Sequence, residues 1–133
     1  MRAGTGDEAF APAAIASLRE EYEVDIETPR EGEPGSRRTT IWVVVVNDAP
    51  FVRSYRGERG RWFGDLRREP RGAIHAGAVR IPFRCQLVTD RETLAAVDDA
   101  FRSKYRRDAS TPSMLMPEAV SATLRLLPAA AFL

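Results

Sequence analysis

Thr39-Thr40-Ile41-Trp42-Val43-Val44-Val45-Val46 is a run of β-branched and aromatic side chains with no charged residue in it. Such side chains fit a pleated, buried surface, so the run predicts a strand. It is apolar on both faces, which predicts a central position in a sheet. Asn47-Asp48-Ala49-Pro50 follows with turn chemistry. Phe51-Val52-Arg53-Ser54-Tyr55 then returns as the second strand of a hairpin. Upstream, residues 29–35 hold two Pro, two Gly and two Glu, the composition of a loop.

Toward the N-terminus, Tyr22, Val24 and Ile26 alternate with Glu23, Asp25 and Glu27, the pattern of a strand with one wet face. Ile15, Leu18 and Tyr22 recur at helical spacing behind Pro12, a residue tolerated in a first helical turn. Toward the C-terminus, residues 61–69 predict a short helix that Pro70 stops. Residues 72–76 and 79–88 predict a second hairpin around Gly77, with Val79, Ile81, Phe83, Cys85 and Leu87 on one face. Pro82 implies an edge position or a bulge there. Thr89 and Glu92 have capping-box spacing, and Leu94, Val97, Phe101 and Tyr105 form one apolar helix face. A linker containing Pro and Ser leads to a last strand over residues 120–127.

Six strands, mostly joined as hairpins, with two to three flanking helices define an α+β, mainly β, class. They favour a compact antiparallel barrel over a parallel α/β sheet. The expected organisation is a loose arm over residues 1–11, one domain over 12–128 and a tail over 129–133.

At 133 residues, 44% hydrophobic and 29% charged, the chain can bury one core without disulfides or metal. Its start lacks the apolar core of a signal peptide, and its longest apolar run, residues 41–46, is too short to cross a bilayer. A cytoplasmic protein without a membrane partner is therefore expected. A net charge of +1 and a pI near 7.9 argue against nucleic acid as a partner. The charge is uneven, however. Residues 1–36 hold nine acids and three Arg, and residues 53–71 hold seven Arg and three acids. A basic patch able to hold an anion is expected. Lys104 is the only Lys among 20 basic residues. Arg's planar fork suits phosphate and carboxylate recognition, and a GC-rich genome produces the same bias.

Conventional catalytic constellations are missing. The single His, His75, and the single Cys, Cys85, belong to no ligand-spaced cluster, so no metal is expected. No Ser sits in a nucleophile elbow, and no phosphate-binding Gly motif is present. Cys85 falls on the apolar face of its strand and reads as core. Residues 37–71 instead gather Arg, Ser and Thr at strand ends, with Trp42, Tyr55 and Trp62 nearby. Anion donors beside aromatic planes suit a cofactor with a ring at one end and a phosphate at the other. They equally suit a solvated Arg-rich surface over an ordinary aromatic core.

Trp42 with its Val run, the hairpin to Ser54-Tyr55, and Arg61-Trp62-Phe63-x-x-Leu66-Arg67-x-x-Pro70 resemble the flavin- and deazaflavin-binding split barrels. That superfamily includes the pyridoxamine-phosphate oxidases and the deazaflavin-dependent nitroreductases. Three stretches are similar, more closely, to a small family of uncharacterised bacterial proteins within it, a domain of unknown function. They are Val52-Arg53-Ser54-Tyr55-Arg56-Gly57-x-x-Gly60-Arg61-Trp62-Phe63, Ala100-Phe101-Arg102-Ser103-Lys104-Tyr105 and Ala122-Thr123-Leu124-Arg125-Leu126-Leu127-Pro128. The likeness covers most of residues 15–128.

The resemblance implies a six-stranded split barrel that pairs as a homodimer, with FMN or a deazaflavin along the dimer groove. The ring would pack near the backbone of Arg38, Thr39, Thr40 and Trp42. The phosphate would meet Arg53, Ser54 and Arg61, with Trp62 near the groove. Deazaflavin reductases carry a Tyr and an Asn where this chain has Phe63 and Asp65, and Asp65 adds negative charge near the implied phosphate. The implied function is a flavin-type cofactor-binding, reductase-like oxidoreductase in which the cofactor transfers hydride. Two alternatives use the same groove. One is a non-enzymatic module for another anion, such as a haem propionate or a nucleotide. The other is an interaction protein with an empty pocket.

Overall fold

The computed structural model describes residues 9–30, 32 and 35–129. The expected arm up to residue 8 and the expected tail after Ala129 lie outside the described residues. Helix α1 (Pro12–Glu20) opens on its proline and buries Ile15 and Leu18. Strands β1 (Val24–Pro29) and β2 (Ser36–Ile41) pair with Val24 opposite Ile41. Strands β3 (Val44–Val46) and β4 (Ala49–Arg53) form a tight hairpin. Its turn residues Asn47 and Asp48 have φ of 50° and 64°. Positive φ at both positions is the type I′ geometry that matches strand twist, and Asn and Asp tolerate it best. A 3-10 turn (Gly57–Arg59) leads into helix α2 (Arg61–Arg68). The second hairpin follows as β5 (Arg71–Ala76) and β6 (Val79–Leu87). Helix α3 (Arg91–Lys104), two single-turn helices α4 (Thr111–Met114) and α5 (Pro117–Val120), and β7 (Thr123–Pro128) complete the order.

The strands form one antiparallel sheet in the order β2-β1-β5-β6-β7-β4-β3. β2 and β3 are consecutive in the chain yet stand at opposite edges. Only Trp42 and Val43 join them. The sheet must therefore curl until its two edges approach, as a half-barrel.

This topology corrects the expected six strands to seven. The run 39–46 is two edge strands, not one central strand. It is apolar on both faces because it divides two cores. Val43 lies in the barrel core with Ile26, Val52, Ile74 and Phe83. Val44 lies in a second core with Phe51, Val97, Phe101 and Tyr105. Full burial of each such side chain is worth about 1.5–3 kcal/mol. Helix α3, not a flanking strand, covers the outer face.

The break at Trp42–Val43 frees a backbone carbonyl from the ladder. Val43 O accepts from Lys104 Nζ at 2.7 Å and from Tyr105 Oη at 3.3 Å. Lys104 Nζ also donates to Leu18 O of α1 at 2.9 Å. The lone lysine thus ties α1, the strand break and α3 together.

Two further differences are local. The α3 cap is Asp90, whose side chain accepts from Thr93 N at 2.9 Å, rather than Thr89. The last strand begins at Thr123 rather than at residue 120, because the helical turn that Pro117 opens runs through Val120. Pro82 behaves as its missing N–H requires. β7 ends opposite Phe83, so β6 has only β5 beside it at Pro82. At Gly72 a Cβ would lie 2.2 Å from the Glu27 carbonyl oxygen, so β1 and β5 can approach only over a glycine.

Candidate functional site

Where β3 pairs with β4, Val44 stands opposite Phe51. Beyond that point the two sides part. β2 turns to β1, and β4 turns to β7, with Arg53 opposite Thr123. The split opens a cleft of about 530 Å³. That size suits a small organic ligand, for which pockets of roughly 300–1,000 Å³ are usual. Thr39, Thr40, Ile41 and Trp42 form one wall. Ser54, Tyr55 and Arg56 form the other, with Arg53 at their root. Gly60 and Trp62 enter from the start of α2, and Ser110, Ser113 and Met114 from the α4 segment. Glu23 stands beside Trp42, one residue beyond the Val24–Ile41 pair.

Six of the eight sequence-predicted site residues meet in this cleft: Thr39, Thr40, Trp42, Arg53, Ser54 and Trp62. Arg38 and Arg61 do not. Arg38 pairs with Asp25 at 3.2 Å on the wet side of the sheet. Arg61 lines a separate hollow on the other side of Gly60, with Arg37, Arg59 and Asp65.

The side chains differ in what they leave free. Arg53 is 1% exposed. Its guanidinium donates to Thr123 Oγ1 at 2.7 Å, Met114 O at 3.0 Å and Leu94 O at 3.3 Å. It also ion-pairs with Asp98 at 2.6 Å and lies 5.3 Å over the Phe101 ring. Burial pulls the Arg53 pKa down, opposed by Asp98. This arginine pins the Met114 wall of the cleft to β7 and α3. Thr40 directs its hydroxyl to Asp25 at 2.8 Å. Trp42 stacks on Tyr105 with centroids 3.9 Å apart and planes 4° apart, so one face of the indole is covered.

Ser54 is the contrast. It is 2% exposed, and its hydroxyl has no hydrogen-bond partner among the described residues. It lies against Gly60, where a Cβ would come within 2.3 Å of Ser54 Oγ. Gly60 is the N-cap of α2 and supplies no side-chain cap. The first amides of a helix have no intrahelical partner and carry the positive end of its dipole. Arg56, exposed on the same wall, forms no ion pair among the described residues. A free hydroxyl on the cleft wall, an uncapped helix start and a free guanidinium are the ingredients of an anion site.

Asp65 does not oppose that site. It accepts from Thr28 Oγ1 at 2.8 Å and Arg37 Nε at 2.8 Å, and pairs with Arg68 at 3.1 Å. Burial alone would raise its carboxyl, but these donors outweigh burial and hold it below the usual range. The negative charge expected near the phosphate is matched by two arginines.

Sequence reading missed Glu23, Arg56, Ser110, Ser113 and Met114. Arg56 lay inside a recognised stretch and could have been found. The α4 residues come from a linker without periodicity, held in place by Arg53, by the Thr111 bond to Tyr105 O and by packing of Met114 in the second core. The reading of Cys85 agrees with its environment, since burial pushes the thiol up to about 11. Among the described residues, no group of three or more His, Cys, Asp or Glu could hold a metal ion, and no helix is long and apolar enough to cross a membrane.

Solved structures share this architecture. A conserved hypothetical protein, Rv2991 from Mycobacterium tuberculosis, superposes with a TM-score of 0.66 at 15% identity, over 95% of this chain and 84% of that one. A putative pyridoxamine 5'-phosphate oxidase from Listeria innocua gives 0.59 at 9% identity, over 90% and 92%. An F420-H2 dependent reductase gives 0.60 at 12% identity, over 80% and 93%. At these identities the likeness is one of fold. A search of curated proteins finds no match. Residues 14–126 match a single family model, and the chain belongs to DUF2255, a family of uncharacterized proteins conserved in bacteria.

Proposed function

We propose that the cleft binds a phosphate-bearing, flavin-type cofactor, FMN or a deazaflavin, and that the protein is a reductase-like oxidoreductase. The observation that carries this is Ser54: a residue 2% exposed whose hydroxyl faces the cleft without a partner among the described residues, set against the uncapped start of α2. A phosphate there would satisfy Ser54 Oγ and the first amides of α2 and would pair with Arg56. β2 is an edge strand, paired only with β1, so its other row of N–H and C=O groups is open toward the split. Those groups can hydrogen-bond the polar edge of a flat ring placed along Thr39 to Trp42. When bound, such a cofactor supplies hydride transfer. The chain's own part is to anchor the phosphate, orient the ring and exclude water with Trp42, Trp62 and Met114. In this assignment Thr39, Trp42, Ser54 and Trp62 stay in the site and Arg56 joins it. Arg53 acts from behind the wall, and Arg38 and Arg61 stand outside. The structural likeness to a reductase that uses F420-H2 supports the same assignment.

The test is titration with FMN and with a deazaflavin, followed by visible absorbance and fluorescence quenching. Ser54→Ala with Arg56→Ala should weaken binding about a hundredfold, because each removes a charge-assisted hydrogen bond. Unchanged affinity in that double variant would remove the anchor. A protein that binds neither cofactor but retains inorganic phosphate would be an anion-binding module without redox chemistry.

A homodimer belongs to the same proposal. Tyr55 on the cleft wall is 63% exposed, and Met116 beyond α4 is 56% exposed. A second copy covering both would close the groove. A monomer in sedimentation at micromolar concentration would contradict it.

A further inference from the structure

The cleft is polarised. Its anion-binding ingredients, Ser54, Arg56 and the start of α2, belong to the β4 wall and α2. At the Trp42 end stands Glu23, which lines the cleft yet makes no hydrogen bond or ion pair among the described residues. Asp108, the next carboxylate along, is engaged: it accepts from the Tyr22 hydroxyl and from Ser110 N. Ser110 and Ser113 line the same cleft; the Ser110 side chain is bonded to Asp108, whereas the Ser113 hydroxyl has no partner among the described residues. Beside Glu23 lies a shelf of three rings. Trp42 stacks on Tyr105 at 3.9 Å, and Tyr22 stands edge-on to them at 6.1 Å and 5.0 Å. Trp42 keeps enough free surface to line the cleft.

An unmatched carboxylate beside an electron-rich indole is the chemistry that recognises an organic cation. The carboxylate supplies the charge, the ring face supplies cation–π attraction, and neither demands a directed acceptor on the ligand. The hydroxyls of Ser110 and Ser113 add acceptors for the N–H groups of a primary ammonium. We infer that the Trp42 end of the cleft is a cation site, which takes an organic ammonium group between the Glu23 carboxylate and the Trp42 ring. It would hold the amine-bearing end of a substrate whose acidic end, or whose neighbouring cofactor, occupies the Ser54 end. This rests on the cleft being a ligand site, not on its other occupant being a flavin.

The experiment uses the full chain and tryptophan fluorescence. The probes are benzylammonium and its neutral analogue benzyl alcohol, and choline and its neutral isostere 3,3-dimethylbutan-1-ol. The wild-type protein should prefer each cation over its neutral partner about tenfold, and Glu23→Gln should abolish that preference. The same variant should keep its thermal midpoint, because Glu23 is exposed and makes no hydrogen bond or ion pair among the described residues. Equal affinity for charged and neutral probes, or a preference that survives Glu23→Gln, would overturn the cation site. An FMN titration of both proteins runs in parallel. Failure of FMN to bind while the cation preference stands would sink the flavin proposal alone.

Discussion

Replacing Arg53 by Leu keeps the volume of the aliphatic stem and removes the guanidinium. Three acceptors then lose their donor: Thr123 Oγ1, Met114 O and Leu94 O. Thr123 still donates to Val120 O at 2.7 Å, so it loses only its accepted bond. Asp98 loses its cation; the paired Oδ1 is buried, but the side chain as a whole is 26% exposed and its other oxygen stays hydrated. Breaking a fully buried ion pair costs roughly 3–5 kcal/mol, and the exposure of Asp98 argues for the lower half of that range. A loss of about 3–4 kcal/mol follows, or roughly 10–15 °C in Tm for a chain of this size. Urea denaturation followed by the fluorescence of Trp42 and Trp62 measures it. Adding Asp98→Asn should return about 1–2 kcal/mol, because the uncompensated charge is then gone. Ligand affinity, measured well below Tm, should fall only a few fold, through slackening of the Met114 wall. The reasoning fails if Arg53→Leu loses less than about 1 kcal/mol while phosphate-ligand binding disappears. Arg53 would then be a ligand-binding arginine, as the sequence resemblance implied.

Three other outcomes are expected. Gly60→Ala has permitted backbone angles, φ −63° and ψ 140°, so its cost is steric. It should cost about 1 kcal/mol by displacing Ser54 Oγ and should weaken phosphate-ligand binding; in the Ser54→Ala background the stability cost should vanish, as thermal melts can show. Asp65 has its carboxyl held low in the folded state, so its contribution is complete above the unfolded Asp value near 4 and is lost as pH falls through the lower folded value. Asp65→Asn should therefore cost about 2 kcal/mol at pH 7, and the gap to wild type should close in urea titrations taken below about pH 4. Burial pushes the Lys104 ammonium down to about 8. Between that pH and about 10 the unfolded chain binds more protons at this site than the folded chain, so stability rises with pH. Wild type should gain on Lys104→Met across that window in paired denaturation curves, and a falling difference would refute it.

The elements that sequence reading placed well are those where periodicity and burial agree. Val24–Ile26, Ile81–Cys85 and the Val97–Phe101 face of α3 each show one apolar side, and each buries it. The run 39–46 was read as one strand because its side chains carry no mark of the break at Trp42–Val43. The mark lies far away, in Lys104 and Tyr105, which reach the Val43 carbonyl from α3. Two-sided hydrophobicity reports only that both faces are covered. It does not tell whether a strand or a helix does the covering. The cleft was legible as a stretch, residues 37–71, because its walls are near in sequence. Its third side was not, because Ser110, Ser113 and Met114 arrive through a linker held by contacts distant in sequence, among them the buried Arg53 guanidinium and core packing of Met114.

The arginines explain why a residue type alone could not assign the anchor. Between residues 53 and 71 the chain carries seven arginines against three acids. That surplus does not form one patch. Arg53 is internal, Arg68 is bound to Asp65 and the Gly64 carbonyl, and Arg71 faces Glu69. Arg56 faces the cleft, whereas Arg59 and Arg61 face the hollow beyond Gly60. A positive charge is useful to a ligand only where it is not already matched and where solvent has been partly removed. Arg53 meets the second condition and fails the first; Arg59 and Arg61 stand exposed. Arg56 needs the Ser54 hydroxyl and the open start of α2 beside it to become more than a solvated side chain. The proposed anchor therefore depends on Gly60, which lets Ser54 and the helix start touch, more than on the arginine content that first drew attention to the region.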